Sequence, residues 1–279
     1  MLKIVTFRGG LGNQMFLYAF YLALKEKYKF SIIIVEPTDC LYVHNGFQLS
    51  YIFPSVERRK TNKFYRRIQK THSEYFSKAI FHKIVESDLA SEQSLNKYTN
   101  FPFVVYDGFW QSDKFFSGVA DKIKAIYQFD KEKLNTNTLN LSEDLNIKNS
   151  VSIHVRRSDY LKNQELNDIC TIQYYKSAIN YVNSKFTDCV YYVFSDDTEW
   201  VKEQFTFFTY KLVDWNKSKD SWQDMFLMSQ CKHNIIANST FSWWGAWLNA
   251  NPGKLVIAPT KWFNTIKKTD IVPSSWVRL

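Results

Sequence analysis

The chain opens on a short apolar run, Leu2-Lys3-Ile4-Val5-Thr6-Phe7, and then changes period: Met15-Phe16, Ala19-Phe20 and Ala23-Leu24 recur at helical spacing through Lys27. Between them lies Arg8-Gly9-Gly10-Leu11-Gly12-Asn13-Gln14, and the wholly apolar Ile32-Ile33-Ile34-Val35 follows. Strand, glycine loop, helix and second buried strand make the unit from which parallel α/β sheets are built. From about Asp39 to Phe101 the periodicity gives way to polar and basic helical patches with no readable topology. Leu134 to Ser150 is polar and free of aromatics, which marks the boundary expected between a first domain, residues 1–148, and a second, residues 149–279. Beyond it the pattern is regular. It predicts strands over Val151 to Val155, Val190 to Phe194, Asn234 to Ala237 and Leu255 to Ala258, and helices over Ile172 to Phe186, Trp222 to Cys231 and Ser242 to Asn249.

Composition narrows this picture. A hydrophobic content of 45% with 23 Phe, 17 Tyr and 9 Trp in 279 residues describes a folded protein and excludes a disordered one. The aromatic excess fills cores, and it also suits flat or hydroxyl-bearing ligands that stack on rings. The net charge of +9 is partly local: Arg58, Arg59, Lys60, Lys63, Arg66, Arg67 and Lys70 place seven cations in thirteen residues. That segment reads as a solvated helix face, as a surface for an anionic membrane or as a seat for an anionic acceptor. No nucleic-acid-binding signature accompanies it, so nucleic acid is not an expected partner. Cys40, Cys170, Cys189 and Cys231 stand far apart, without a CxxC pair or a metal-ligand spacing, as free thiols do. No charged leader precedes a long apolar stretch and no run reaches the ~18 residues of a membrane span, so a cytosolic protein is expected.

Three segments carry candidate chemistry. His154-Val155-Arg156-Arg157-Ser158-Asp159-Tyr160 ends a buried strand with four ionisable groups, and two arginines at the carboxyl end of a strand suit phosphate oxygens. The bland alternative is a structural ion pair between Arg157 and Asp159. Phe194-Ser195-Asp196-Asp197 ends the next strand; its acids could chelate a metal, cap the helix beginning near Thr198 or accept from a base such as guanine. Asn238-Ser239-Thr240-Phe241-Ser242-Trp243-Trp244-Gly245 offers hydroxyls and amides at a helix start, a phosphate seat, or else an N-cap with core tryptophans. Three strand ends thus outline a nucleotide-diphosphate site. In the first domain, Gly10 and Gly12 open a helix, but Met15 stands where a dinucleotide fingerprint needs its third glycine. Asn13 and Gln14 there are groups able to position hydroxyls and phosphates.

These blocks, together with Gly108-Phe109-Trp110-Gln111-Ser112, resemble in order those of bacterial α-1,2-fucosyltransferases of glycosyltransferase family eleven, with His154 to Asp159 matching the family's HxRRxD pattern whole. Phe109 and Trp110 replace the usual Tyr and Phe of the fifth block. The resemblance implies an α/β protein of GT-B architecture, with two Rossmann-like domains facing across a cleft that Gly10, Gly12, Asn13 and Gln14 line. It implies transfer of fucose from GDP-β-L-fucose to the 2-hydroxyl of a terminal galactoside, with inversion and without a metal or other cofactor. Arg156 would face the β-phosphate, His154 and Asp197 the guanine, and Ser239, Thr240 and Phe241 the diphosphate and base. Asp159 is the candidate general base, with Glu165 and Asp168 as alternatives, and a galactose-terminated glycan is the expected acceptor. A sugar-nucleotide or glycan binding module without turnover would keep the donor pocket and need no base.

Overall fold

The computed structural model describes residues 2–28, 31–35, 45–56, 82–86, 101–147, 149–265 and 270–279. The basic segment Arg58 to Lys70, Cys40 and most of the stretch from Asp39 to Phe101 lie outside the described residues. Two compact units divide the chain, Met1–Gln128 and Phe129–Leu279.

In the first unit, β1 (Leu2–Thr6), β2 (Ser31–Val35), β3 (His82–Val85) and β4 (Phe103–Asp107) form a parallel sheet in the order β2-β1-β4-β3. Ile4 and Val5 of β1 are buried, as the apolar run of a parallel strand covered on both faces should be. Helix α1 (Leu11–Lys27) is apolar around most of its circumference and is accordingly buried from Leu11 to Leu24 except at Asn13 and Ala23, while Lys25 and Lys27 suit the negative end of its dipole. Two shorter helices, α2 (Leu49–Ile52) and α3 (Ala120–Ile126), complete the described part of the unit.

The second unit contains α4 (Thr136–Ile147), β5 (Asn149–Val155), α5 (Ile172–Asn183), β6 (Cys189–Ser195), α6 (Thr198–Gln204), β7 (Tyr210–Val213), α7 (Trp222–Gln230), β8 (His233–Ile235), α8 (Thr240–Leu248), β9 (Val256–Ala258) and β10 (Val277–Arg278). Its six strands are parallel in the order β10-β9-β8-β5-β6-β7. The chain starts at β5, builds outward through β6 and β7, then returns to build β8, β9 and β10 on the other side. The strand order therefore reverses between β5 and β8, the place where open α/β sheets bind ligands beyond their carboxyl ends. Val151, Ile153 and Val155 of β5, Val193 of β6, Ile235 and Ile257 pack against Tyr175, Ala178, Ile179 and Val182 of α5 as one core.

The units part twenty residues before the expected boundary at 148, because the polar stretch is a helix anchored in the second unit. Asn135 donates its backbone N–H to Gln223 Oε1 at 2.9 Å and its amide to Asn216 Oδ1 at 2.7 Å. Thr138 donates its hydroxyl to the same Asn216 oxygen at 3.2 Å and accepts from Trp215 Nε1 at 3.2 Å. Polarity that reads as a linker is the polarity of a network satisfying itself inside the fold.

That network ends on Asp224, whose Oδ1 accepts from Asn216 Nδ2 at 2.8 Å and whose pKa burial pushes up to about 8. The unfolded chain ionises this carboxyl near 3.8, so its contribution to stability is full below that pH and is lost as pH rises to about 8. Asp224→Asn keeps the acceptor oxygen and removes the buried ionisation. Urea unfolding at pH 7 should show a gain of roughly 1–3 kcal/mol, vanishing by pH 4. A loss of stability at pH 7 would refute this account of the network.

Candidate functional site

The candidate site lies at the carboxyl ends of β5, β6 and β8. Register creates it: Val155 of β5 stands opposite Ser195 of β6, so the residues that follow, Arg156 and Arg157, come level with Asp196 and Asp197. Arg156 Nη1 bonds Asp196 Oδ2 at 3.1 Å and its Nη2 bonds Asp159 Oδ1 at 2.7 Å, while its guanidinium lies 5.5 Å from the centre of the Tyr160 ring. Arg157 donates its backbone N–H to Asp196 Oδ1 at 2.9 Å and its Nε to Asp197 Oδ2 at 3.1 Å, and stacks over Trp200 at 4.2 Å. Five charged residues are linked in this way, Asp196 to Arg157 through the Arg157 backbone.

The pairing differs from the simpler expectations. Arg157 does not hold Asp159; it pairs with Asp197, and Asp159 pairs with Arg156. Asp197 is the N-cap of α6, accepting from Trp200 N at 3.1 Å through the oxygen that Arg157 leaves. Asp197 thus supports Arg157 and caps α6 with one bond on each carboxylate oxygen, which leaves each oxygen a further acceptor site. Trp200 and Tyr160 hold the arginines from below. Tyr160 sits within the motif, and Trp200 follows the acidic pair at the distance of one helical turn, but neither role is legible without the fold.

His154 is buried at the end of β5, with its ring 5.8 Å from that of Phe241. Its Nδ1 is buried without a hydrogen-bond partner among the described residues. Burial, helped by the Arg156 charge, pushes its pKa down to about 3, so the imidazole is neutral. Tyr175 donates to the His154 carbonyl at 3.0 Å and fixes the strand end. Tyr160 donates to the Asn238 carbonyl at 3.3 Å, and burial raises its pKa to about 12, which keeps it a phenol. Ser239 caps α8, accepting from Phe241 N at 3.4 Å, so Thr240 and Phe241 occupy the positive end of that helix. Trp243 and Trp244 are core residues.

Asn238 ties the surrounding loops together: its amide donates to the carbonyls of Leu166 and Trp262, both at 3.2 Å, and its Oδ1 accepts from Cys170 Sγ at 3.5 Å. Of the alternative bases, Glu165 is held through Oε2 by the backbone N–H and the hydroxyl of Thr265, at 3.2 and 2.8 Å. Asp168 occupies the left-handed region with φ of 53°. Cys170, Cys189 and Cys231 are free thiols. Among the described residues no group of three or more His, Cys, Asp or Glu side chains is placed to hold a metal, and no helix is long and apolar enough to cross a membrane.

The first unit has its own polar assembly at the carboxyl end of its sheet. Arg8 and Lys83 both pair with Asp107, the latter at 2.6 Å, and Arg8 lies over Phe109 at 5.4 Å. Glu86 accepts from Phe109 N at 2.7 Å and Gln111 N at 2.9 Å; falling in the irregular part of the sequence, it gave no signal of this role. Gln14 is wholly buried, donating to the carbonyls of Gly9 and Gly46 and accepting from Gln48 N at 3.1 Å, so its amide is scaffolding and not a ligand contact. Asn13 accepts from Gln111 Nε2 at 2.7 Å. Gly10 precedes α1 and Gly12 lies buried in its first turn. Gly9 has φ of 72°, and a Cβ there would lie 2.5 Å from Asn13 Nδ2, so only glycine fits. Trp110, at φ of 55°, is a bulky residue in a backbone region that disfavours it; it is fully buried and stacked on Phe20 at 4.3 Å.

Two parallel α/β units, the second with its charged and helix-capped strand ends at the switch point, define the GT-B class expected from the motifs. The solved structure of NodZ α-1,6-fucosyltransferase soaked with GDP-fucose aligns with a TM-score of 0.56 over 88% of this chain and 92% of that one, at 14% identity, which establishes likeness of fold. The family model for Glycosyl transferase family 11 matches residues 2–279, and the chain belongs to that family. Among its relatives, an α-1,2-colitosyltransferase of Escherichia coli is 33% identical over 99% of this chain and 98% of its own length. The O-antigen biosynthesis glycosyltransferase WbnK of the same organism is 32% identical over 97% and 98%.

The buried imidazole supplies a direct check. The ring nitrogens of His154 should show no protonation by NMR between pH 8 and pH 5, whereas an accessible histidine titrates near 6.5. Because the unfolded chain does take up that proton, stability should fall as pH drops below 6.5.

Proposed function

We propose that this glycosyltransferase moves L-fucose from GDP-β-L-fucose to the 2-hydroxyl of a terminal galactoside in a surface glycan, inverting the anomeric centre. The observation that carries this reading is the convergence of Arg156, neutral His154 and the N-terminus of α8 at one switch point. In it, Arg156 meets the β-phosphate and stabilises the charge that develops as GDP leaves. Ser239 and Thr240 present the start of α8 to the diphosphate. The free Nδ1 of His154 and the ring of Phe241 flank the guanine, with neutral imidazole able to donate or accept. Inversion by direct displacement needs a base for the acceptor proton, which we assign to Asp159.

Charge neutralisation by guanidinium and helix amides makes metal dispensable in this scheme, so the reaction should proceed in EDTA. The α-1,2 linkage and the glycan acceptor are supported by what the relatives are named for. The colitosyltransferase relative favours a second donor, since colitose differs from fucose in lacking the 3-hydroxyl. We place the reaction in the cytoplasm, with Arg58 to Lys70 bringing the enzyme to anionic lipid at the inner membrane surface.

The test is incubation with GDP-fucose or GDP-colitose, EDTA and a panel of β-galactosides, measuring GDP release and product linkage. The expected outcome is a 2-linked α-fucoside with GDP-fucose preferred. Tight GDP binding without product would support a binding module, and preference for GDP-colitose would replace the donor. Arg156→Ala should lower kcat by roughly 10²–10³.

A further inference from the structure

Arg156 is held between two carboxylates that are not equivalent. Asp196 is 20% exposed and is fixed twice, by Arg156 Nη1 on one oxygen and by the backbone N–H of Arg157 on the other. Asp159 is 48% exposed, and among the described residues its carboxylate is held by Arg156 alone. The five groups of the cluster, two guanidinium and three carboxylate, sum to a formal charge of −1. A diphosphate brought to Arg156 therefore meets an arginine already overcompensated, and it shares the Nη2 side with a like charge a few ångströms away. That repulsion is modest in a water-like medium and grows several-fold where solvent is excluded. The carboxylate with one tether and the greater exposure is the one that yields.

We propose that Asp159 is an exchangeable partner of Arg156: the donor diphosphate displaces its carboxylate from the guanidinium, and the freed carboxylate becomes the base that serves the acceptor. The inference rests on the donor reading given above and deepens it. In the transfer step the acceptor oxygen forms its bond to the anomeric carbon while its proton passes to the Asp159 carboxylate. The bond from that carbon to the β-phosphate oxygen breaks, and its electron pair leaves with GDP, whose charge Arg156 now receives undivided. Base and phosphate ligand are thereby coupled, because the base is released only when the phosphate has arrived.

The device makes an unusual demand, that removing an acidic side chain from the site should improve binding while harming turnover. GDP is titrated calorimetrically, at fixed ionic strength, into the wild type and into Asp159→Ala, Asp159→Asn and Asp196→Ala. Asp159→Ala should tighten GDP binding roughly five- to fiftyfold, with Asp159→Asn moving the same way, while GDP-fucose turnover falls by about a hundredfold or more. Asp196→Ala, which unties both arginines, should weaken GDP binding. Weaker or unchanged GDP binding in Asp159→Ala would make Asp159 a fixed support of Arg156 and overturn the exchange. Equal tightening in Asp196→Ala would do the same, by reducing the effect to general charge. Absence of GDP binding in the wild type would instead overturn the donor reading itself.

Discussion

The contacts that run from Asp159 through Arg156 and Asp196 to the Arg157 backbone, and from the Arg157 guanidinium to Asp197, are the constraint on which the second unit's chemistry depends. Two arginines side by side at a strand end repel each other, and their long side chains carry about 2 kcal/mol of rotamer entropy each. Giving each guanidinium its own carboxylate partners, Asp159 and Asp196 for Arg156 and Asp197 for Arg157, offsets the repulsion, and stacking on Tyr160 and Trp200 removes much of the freedom. A pre-oriented guanidinium loses little on meeting a phosphate.

That arrangement exists only because β5 and β6 are parallel neighbours in register. Motif residues forty positions apart meet because Val155 pairs with Ser195. Where the order reverses, the neighbouring strand β8 brings a helix start to the same edge. Local sequence supplies the groups; the sheet supplies their spacing.

Much of this was legible in the chain and some was not. The central strands of the second unit are apolar runs bounded by polar turns, and β5, β6, β8 and β9 fall close to where periodicity predicts them. Strands β7 and β10 are short edge elements, Tyr210-Lys211-Leu212-Val213 and Val277-Arg278, with too little pattern to announce themselves. The boundary was misplaced because Asn135 and Thr138 look like linker residues, although their partners Asn216 and Gln223 lie some eighty residues on. Arginines, acids and cap were readable as chemistry, whereas which acid holds which arginine is a tertiary fact. Gln14 shows the opposite failure, since an amide at a glycine-rich helix start looks like a ligand group and here ties the backbone at Gly9 to that at Gly46 and Gln48.

The left-handed Trp110 has a consequence of its own. Intrinsic backbone preference opposes its conformation, so what keeps the turn in place is the slot formed by Phe20, Tyr106 and Phe115 around the indole. On either side of it, Phe109 and Gln111 are presented at the carboxyl edge of the first sheet, toward Arg8 and Asn13. Interior packing and surface chemistry are here a single mechanical variable. Drift in the apolar residues beneath the turn would re-aim the side chains above it, so the surface chemistry of this unit can change through substitutions that never reach the surface.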